Sequence, residues 1–411
     1  MNVVVNYSEV VKSTSVSIRS RLDNKKNILQ FLPNLLTEMS KSPTFSYKGK
    51  KLKTPYLLDI VHNLILKYYF KKENRFSLSA TILKEKYGHQ YNFYIEFLIE
   101  NKMIEMVLNY KKGTRSRVYS LNLGILNSKI TRYKNQDKFL IKKYKNRISQ
   151  VEESLTEDSS IDSDVKIKLI KDLFYVNIET ERSIFYLDSL KNEDNDIYNR
   201  NKYSVECIGD KHIFYHFDKY GRLHTNFTIL KSFIRKNCLL IDGEETCEID
   251  IDNSQPLFLT KLIQDSGTNW VKKDEFDLFK YLTIEGKYYQ YLMNELKIKN
   301  KSDTKYLTYK VLFGRNNANS VSDKKFSKLF PTIYNFIKLY KKENDDYKII
   351  AYELQRAESN LIFNKIVKQI YLSNPDIKLV TVHDSIIVAR RHKEEVSSIF
   401  YSKLYEEFGL I

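Results

Sequence analysis

The sequence predicts an α+β fold in which antiparallel strands are set among many helices. Two stretches have strand character, residues 248–252 and residues 379–388. In the first, Ile249 and Ile251 point to one face while acids occupy the other, and the second is apolar except at its centre. Much of the remaining chain repeats apolar residues at intervals of three and four, which is typical of amphipathic helices.

The first 125 residues divide into two predicted parts. Residues 1–45 form an N-terminal segment without an assigned function, in which residues 27–39 are predicted to be helical. Residues 46–125 begin with a basic loop, after which Thr54 supplies a helix cap and Pro55 the first turn. Here the patterns predict three helices and then two strands, over residues 54–70, 77–87, 89–101, 103–108 and 117–123.

Three helices followed by a hairpin with a basic tip resemble a winged helix-turn-helix domain. The residues of the tip that would contact DNA phosphates are Lys111, Lys112, Arg115 and Arg117, and the third helix would enter the major groove. Residues 1–150 carry 29 Lys and Arg against 10 Asp and Glu, whereas the rest of the chain is close to neutral. We therefore expect residues 46–125 to bind duplex DNA. A winged helix used only for protein contacts is the alternative.

Residues 126–205 are predicted to be helical and highly charged, with an acidic connector at residues 157–164. Downstream, carboxylates lie at the end of the first strand and in the middle of the second. Asp252 precedes Asn253, Ser254 and Pro256, which end the strand, and Asp384 lies in a predicted two-residue hairpin turn. A single Asp after a strand is as often a turn former or a helix cap. Two such carboxylates on neighbouring strands could together hold a pair of Mg²⁺ ions.

Within residues 206–411 the sequence resembles family A nucleic acid polymerases, the bacterial DNA polymerase I type. Asp252-x-Ser254-Gln255 is similar to the D-Y-S-Q of their first catalytic motif, and Val382-His383-Asp384 to the V-H-D of their third. Ser385 also makes the third motif similar to the H-D-S of single-subunit phage RNA polymerases.

Three further segments, in the same order as in that family, extend the resemblance. Lys301-x3-Lys305-x7-Phe313-Gly314 is similar to the second motif, R-x3-K-x7-Y-G, with Lys in place of Arg and Phe in place of Tyr. Tyr220-Gly221-Arg222-Leu223 resembles the T-G-R-L segment, and Gln355 resembles the Gln of the Q-G-T-A-A-D helix.

The resemblance implies an antiparallel-sheet palm with helical fingers over residues 206–411, with residues 126–205 as a reduced thumb or a linker. Asp252 and Asp384 would hold two Mg²⁺ ions, and the carbonyl of Ile251 would be an additional ligand. Such a site catalyses phosphoryl transfer by positioning and charge stabilisation.

The resemblance also implies which residues hold the substrates. On the fingers helix the nucleotide would meet a face formed by Lys301, Lys305, Tyr309 and Phe313. Lys305 would also donate a proton to pyrophosphate. Gln255 and Leu257 would complete the nucleotide site, and the bulk of Leu257 at the position that excludes a ribose favours DNA synthesis. Primer–template DNA would be contacted by Arg222, Gln355 and His383.

We therefore expect a DNA polymerase that adds dNTPs to a primer 3′-end, without proofreading, as a replication protein of a phage, plasmid or mobile element. The alternatives are an RNA polymerase or primase, a DNA-binding replication initiator with an inactive palm and, more remotely, a two-metal nuclease. The chain lacks a long apolar run and a signal-peptide pattern, and its three cysteines are scattered. These features favour a cytoplasmic location without a membrane partner.

Overall fold

A computed structural model describes residues 28–409, apart from residues 34–35, 72–73, 128–129, 155–160, 192–193 and 317–319. Helices and antiparallel strands give the predicted α+β fold. The described residues form two compact units. Unit 1 is made of the described residues within Met1–Glu157, Asn177–Ile213 and Ile229–Leu239, and unit 2 of the described residues within Asp158–Val176, Phe214–Thr228 and Leu240–Ile411.

The elements of the first half of the chain, in order, are β1 (Ile28–Pro33), β2 (Thr44–Tyr47), β3 (Lys50–Lys53), α1 (Thr54–Lys71), β4 (Phe76–Leu78), α2 (Ala80–Tyr87), α3 (Tyr91–Glu100), β5 (Ile104–Leu108), β6 (Arg117–Leu121), β7 (Ile130–Asn135), α4 (Lys138–Ser154), α5 (Ser163–Leu173), β8 (Val176–Ile178), α6 (Thr180–Asp188) and α7 (Asn195–Gly209).

The elements that follow are β9 (Tyr215–Phe217), β10 (Leu223–Thr225), α8 (Asn226–Ile229), α9 (Ser232–Cys238), β11 (Leu239–Ile241), β12 (Glu244–Asp250), α10 (Ser254–Asp265), α11 (Lys273–Ile284), α12 (Tyr288–Leu296), α13 (Lys301–Phe313), α14 (Val321–Leu329), α15 (Pro331–Glu343), α16 (Ile349–Ser359), α17 (Lys368–Ser373), β13 (Leu379–Val382), β14 (Ser385–Ala389) and α18 (Lys393–Phe408). A π-helical stretch, Asn360–Val367, joins α16 to α17.

Unit 1 is built around α1, which begins at Thr54 as predicted. The predicted cap is not formed, because the Thr54 hydroxyl is buried without a hydrogen-bond partner among the described residues. The apolar stripe of α1 is fully buried because neighbouring elements cover it on several sides. The same helix carries Asp59, a buried carboxylate that accepts hydrogen bonds from Gln30 and Tyr87, both at 2.6 Å. Lys86 also lies 2.6 Å from it. These partners supply the charge and donors that a buried carboxylate requires.

The sequence interpretation missed the strands β1 and β7 of unit 1. It also missed β2, β3, which forms at the predicted basic loop, and β4, which lies at the predicted start of the second helix. β1 pairs with β7 in antiparallel register, Ile28 opposite Asn135 and Pro33 opposite Ile130. The predictions of a helix over residues 27–39 and of an all-helical segment over residues 126–205 are therefore wrong at these strands, and β8 is a further exception. The partners β1 and β7 lie about a hundred residues apart in the sequence. Local periodicity cannot reveal such pairing. The strands expected around the basic tip do form, as β5 and β6, in a sheet of order β4–β6–β5.

Unit 2 contains an antiparallel sheet in which β13, β14, β12 and β11 are neighbours in that order. Every residue of β13 and β14 is buried. This explains their continuously apolar sequences, since strands covered on both faces lose the alternating pattern. The pairing of β12 with β14 sets Asp250 opposite Ser385, and the two-residue turn between β13 and β14 holds His383 and Asp384.

Among the described residues, no helix combines the length and hydrophobicity that crossing a membrane requires.

Candidate active site

The acidic strand end and the hairpin turn meet in unit 2. β12 ends at Asp250, and Asn253, in the left-handed conformation with φ 55°, starts α10. Opposite, the turn between β13 and β14 is made possible by His383, whose φ is 56°. Asp250 lies opposite Ser385, and Asp384 directly precedes Ser385 in the sequence. Asp384 therefore lies next to the end of β12. The structure thus places the two predicted catalytic segments side by side.

Three acids of these segments, Glu248, Asp252 and Asp384, act on a fourth, Asp250. Although Asp250 lies at the surface, loss of hydration raises its pKa to about 7, and the charges of Asp384 and Glu248 contribute further. Burial likewise raises the pKa of Asp384. The repulsion at Asp250 marks a place where carboxylates are held together against their preference. Such sites gain from a cation.

The carboxylates of Asp252 and Asp384 suit a hard divalent ion, although the side chains are not already arranged as a metal site. Among the described residues, no group of three or more His, Cys, Asp or Glu side chains is arranged to hold a metal. Asp252 follows the end of the strand and is exposed. It packs closely against Gly286, where an added Cβ would lie 3.3 Å from the Cβ of Asp252. The Ile251 side chain is buried, and the role of its carbonyl as a ligand stays a prediction. Carboxylate oxygens are what Mg²⁺ prefers, so the residues fit this ion by chemistry.

Asp384 is also where the other predicted segments converge. The positive charges of Arg222 and Lys305 oppose the effect of burial on the pKa of Asp384, and so does the Ser254 hydroxyl when its single proton turns to Asp384 instead of Glu358. The charge of Asp384 in turn helps to raise the pKa of Tyr309, after burial as the main cause. Segments far apart in sequence therefore surround a single carboxylate.

The predicted fingers helix is α13, with Asn300 as its N-cap; Asn300 accepts a hydrogen bond from the backbone N–H of Asp303 at 2.8 Å. Lys301 and Lys305 lie on one face, with their Nζ atoms 5.9 and 5.6 Å from the ring centroid of Tyr289. Tyr309 continues this face and is 40% exposed. The helix therefore presents two cations and an aromatic ring on one face, as their spacing of four residues predicts.

Two features of this helix were missed by the sequence interpretation. Tyr289, on α12, is the aromatic partner of both lysines, and burial raises its pKa. At the other end of α13, the buried Lys341 donates to the carbonyls of Val311 and Gly314, each at 2.9 Å. It thereby satisfies the carbonyls that every helix leaves free at its C-terminus.

Phe313 and Gly314 complete the predicted fingers motif. The Phe313 ring lies 5.5 Å from that of Tyr309. At Gly314 a Cβ would come within 2.2 Å of the Lys310 carbonyl oxygen, so this position has no room for a side chain. The local packing of the helix end is thus one reason for a glycine here.

A buried carboxylate on α16, Glu358, binds two predicted substrate-contacting residues. Arg222 donates to it through Nε and Nη2, at 2.9 and 2.8 Å. Gln255 donates through Nε2 at 2.7 Å, and Ser254 through Oγ at 3.3 Å. The Glu358 side chain is 1% exposed. We call Glu358 with Arg222, Gln255 and Ser254 the Glu358 cluster.

Burial raises the pKa of Glu358 to about 7, even though the charge of Arg222 opposes this shift and that of Asp384 adds to it. The two-pronged contact with Arg222 uses both carboxylate oxygens as acceptors. A sequence signal for Glu358 did exist. It follows Ile350 and Leu354 at intervals of four, so it lies on the buried stripe of its helix, where an acid needs partners.

Three further predicted site residues, Gln355, His383 and Leu257, lie in the same unit. Gln355 is half-buried on α16, one turn before Glu358. His383 lies near His224, with ring centroids 6.1 Å apart, and His224 contacts Asp218 at 2.9 Å. Leu257 is buried in α10 with 3% exposed. A nucleotide sugar could reach Leu257 only after neighbouring side chains move.

The predicted DNA-contacting tip belongs to unit 1. Lys111, Lys112, Arg115 and Arg117 are all exposed. Lys111 and Arg115 pair across the loop, and the Nε atom of Arg115 donates to the Asn109 carbonyl at 3.1 Å. The loop therefore has a defined shape that presents its cations to solvent.

No family model matches the chain, and no curated protein matches it.

Proposed function

We propose that the chain is a template-directed DNA polymerase of the family A type, which extends a primer 3′-end with dNTPs. The observation that carries this proposal is the convergence around Asp384 of the segments that resemble the family's motifs. The Ser254 hydroxyl and the charges of Arg222 and Lys305 oppose the rise in the pKa of Asp384, and the charge of Asp384 helps to raise the pKa of Glu358 and of Tyr309. On this proposal the sheet of unit 2 is the palm, and α13 belongs to the fingers.

Asp252 and Asp384 would hold two Mg²⁺ ions. When bound, the ions would activate the 3′-hydroxyl and stabilise the charge of the leaving pyrophosphate. The residues of the chain do the rest. Lys301 and Lys305 attract the triphosphate to α13, while Tyr309 offers a ring on which the sugar and base stack. By resemblance to the family, Lys305 would give a proton to the pyrophosphate.

Primer extension on a labelled template tests this proposal. The parental chain should extend with dNTPs only when Mg²⁺ is present, and Asp252→Asn or Asp384→Asn should lower the rate by roughly 10²–10³-fold or more. Asp274→Asn, an exposed acid at the start of α11, is the matched control and should keep the parental rate. Mn²⁺ binding followed by electron paramagnetic resonance should weaken in the two active-site variants alone. Extension at the parental rate by either variant would remove the assigned metal ligands.

RNA synthesis, by an RNA polymerase or primase, is the second candidate, and one observation favours it. Ser385 follows Asp384, as in the H-D-S motif that single-subunit phage RNA polymerases have, and its Oγ donates to Glu248 at 2.9 Å. The bulk of Leu257 favours DNA instead. Extension with NTPs in preference to dNTPs would decide for RNA.

We further propose that unit 1 binds duplex DNA. The order of α1, β4, α2 and α3 before the β5–β6 hairpin is that of a winged helix, which supports this assignment. The exposed cations between β5 and β6 would then contact phosphates. Reversing the charge of Lys111, Lys112, Arg115 and Arg117 should weaken binding to all duplexes alike. A winged helix used only for protein contacts is the alternative for unit 1. A DNA-binding replication initiator with an inactive palm would bind duplex DNA in the same way but would not extend a primer.

A further inference from the structure

A second basic hairpin in unit 1 covers the helix that a winged helix would insert into DNA. β2 and β3 pair with Phe45 opposite Leu52, and the ring of Phe45 lies 4.9 Å from that of Phe97 on α3. The ring of Tyr47 packs edge-on against Phe97 at 5.5 Å. The backbone N–H of Lys53 donates to the Tyr94 hydroxyl at 2.9 Å. We call residues Thr44–Lys53 the basic hairpin.

The part of α3 that stays exposed is poorly suited to a major groove. Its exposed residues are Asn92, Glu96, Ile99 and Glu100. The two acids are already paired with Lys48 of the basic hairpin, whose Nζ lies 3.2 Å from Glu96 and 2.7 Å from Glu100. In a major groove this face would lie between two phosphate backbones, and the carboxylates of Glu96 and Glu100 would be repelled by the negatively charged phosphates.

The basic hairpin itself offers cations to solvent. Lys48 and Gly49 at its tip have φ of 46° and 72°, the pattern of a tight two-residue turn. Lys50 and Lys51 follow at the start of β3, and both are exposed. In contrast to Lys48 and Lys53, neither makes an ion pair within the part of the chain that the structure describes. Both charges are therefore available to a polyanion.

We infer that unit 1 holds duplex DNA by its phosphates, through Lys50 and Lys51 of the basic hairpin together with the loop between β5 and β6, and not by base contacts from α3. This inference rests on the duplex binding proposed above. Binding of this kind is independent of sequence, because phosphates are the same at every base pair. A polymerase that must accept any template requires that property of its accessory module.

Fluorescence anisotropy of the full-length chain with two labelled duplexes of unrelated sequence tests the inference, with KCl varied between roughly 50 and 200 mM. Lys50→Ala/Lys51→Ala should weaken binding to both duplexes by the same factor. The plot of log Kd against log[KCl] should become shallower by about 2, roughly one for each lost phosphate contact. The matched control is Lys272→Ala/Lys273→Ala, an exposed lysine pair in unit 2, which should keep the parental slope.

Variants of α3 complete the test. Asn92→Ala should leave both affinities unchanged, and Glu96→Gln/Glu100→Gln should tighten binding to both duplexes because it removes negative charge and releases Lys48. A loss in Asn92→Ala that differs between the two duplexes would show that α3 reads bases and would overturn the inference. Equal behaviour of the hairpin variant and its control would overturn it too.

Absence of duplex binding by the parental chain would refute both this inference and the duplex binding proposed for unit 1. Primer extension by the same preparation would still report on the polymerase proposal separately. Thermal unfolding followed by circular dichroism confirms that each variant is folded.

Discussion

Replacing members of the Glu358 cluster should reveal how strongly its charges depend on one another. We predict that Glu358→Gln and Arg222→Met each destabilise the chain by about 3 kcal/mol, because each leaves a buried charge without its partner. The Arg222 side chain is 19% exposed and that of Glu358 1%, which places the pair at the lower end of the range for fully buried pairs. The double variant should lose about 3 kcal/mol, no more than either single variant, since no charge is then left uncompensated.

The pH dependence of the two single variants should differ. The pKa of Glu358 is raised to about 7 in the folded chain, against about 4.3 when unfolded. The stability due to its protonation is therefore fully present below about pH 4.3 and lost as the pH rises through about 7. Without Arg222 no cation opposes this shift, so the deficit of Arg222→Met should shrink as the pH falls from 8 to 6. The stability of Glu358→Gln itself should not follow this titration, so its deficit should grow as the pH falls from 8 to 6, because only the parental chain gains stability through Glu358 in that range.

Urea unfolding followed by circular dichroism at pH 8 and pH 6 measures these quantities. The coupling energy of the double-mutant cycle should be about 3 kcal/mol. The exposed pair Arg390 and Glu245, 3.1 Å apart, is the control, and its coupling should stay below about 1 kcal/mol. Additive losses in the Glu358 cycle, within the error of the control, would refute the argument.

Two further predictions concern α13 and the sugar of the nucleotide. Lys341→Met should cost about 2–3 kcal/mol in urea unfolding, because the carbonyls of Val311 and Gly314 lose their donor. Burial lowers the pKa of Lys341 to about 8. The free energy of unfolding of the parental chain should therefore rise between about pH 8 and about pH 10.4 through this group. The same rise in Lys341→Met would show that it does not come from Lys341. In steady-state incorporation on one template, Leu257→Gly should raise the use of NTP relative to dNTP by at least roughly tenfold, and Tyr309→Phe should lower the acceptance of ddNTP. An unchanged NTP to dNTP ratio in Leu257→Gly would show that ribose is excluded elsewhere.

Local chemistry predicted the elements whose signals lie within a few residues of one another. Thr54 and Pro55 predicted the start of α1, and His383-Asp384 between apolar runs predicted the hairpin of β13 and β14. β1 and β7 were not predicted, because each is a short strand whose identity depends on a distant partner.

The same division applies to the candidate site. Residues within motifs, such as Asp384 and Lys305, could be predicted because the motif fixes their spacing. Tyr289 could not, since only the packing of α12 beside α13 brings its ring under the lysines. Glu358 lies between these cases: its helical stripe signalled burial, but its partners Arg222 and Gln255 come from other elements.

The Glu358 cluster also determines which atoms of its members are left for a substrate. A carboxylate only accepts, so the Gln255 amide must turn its Nε2 donor toward Glu358. The Oε1 atom of Gln255 is then buried without a hydrogen-bond partner among the described residues, an arrangement that a donor from a ligand would relieve. Arg222 commits Nε and Nη2 to Glu358, which leaves Nη1 outside these bonds. On the proposed function, this remaining donor suits the acceptors N3 and O2 that every base pair presents in the minor groove. On the proposed function, Glu358 would thus orient Arg222 and Gln255 for a substrate instead of withdrawing them from it.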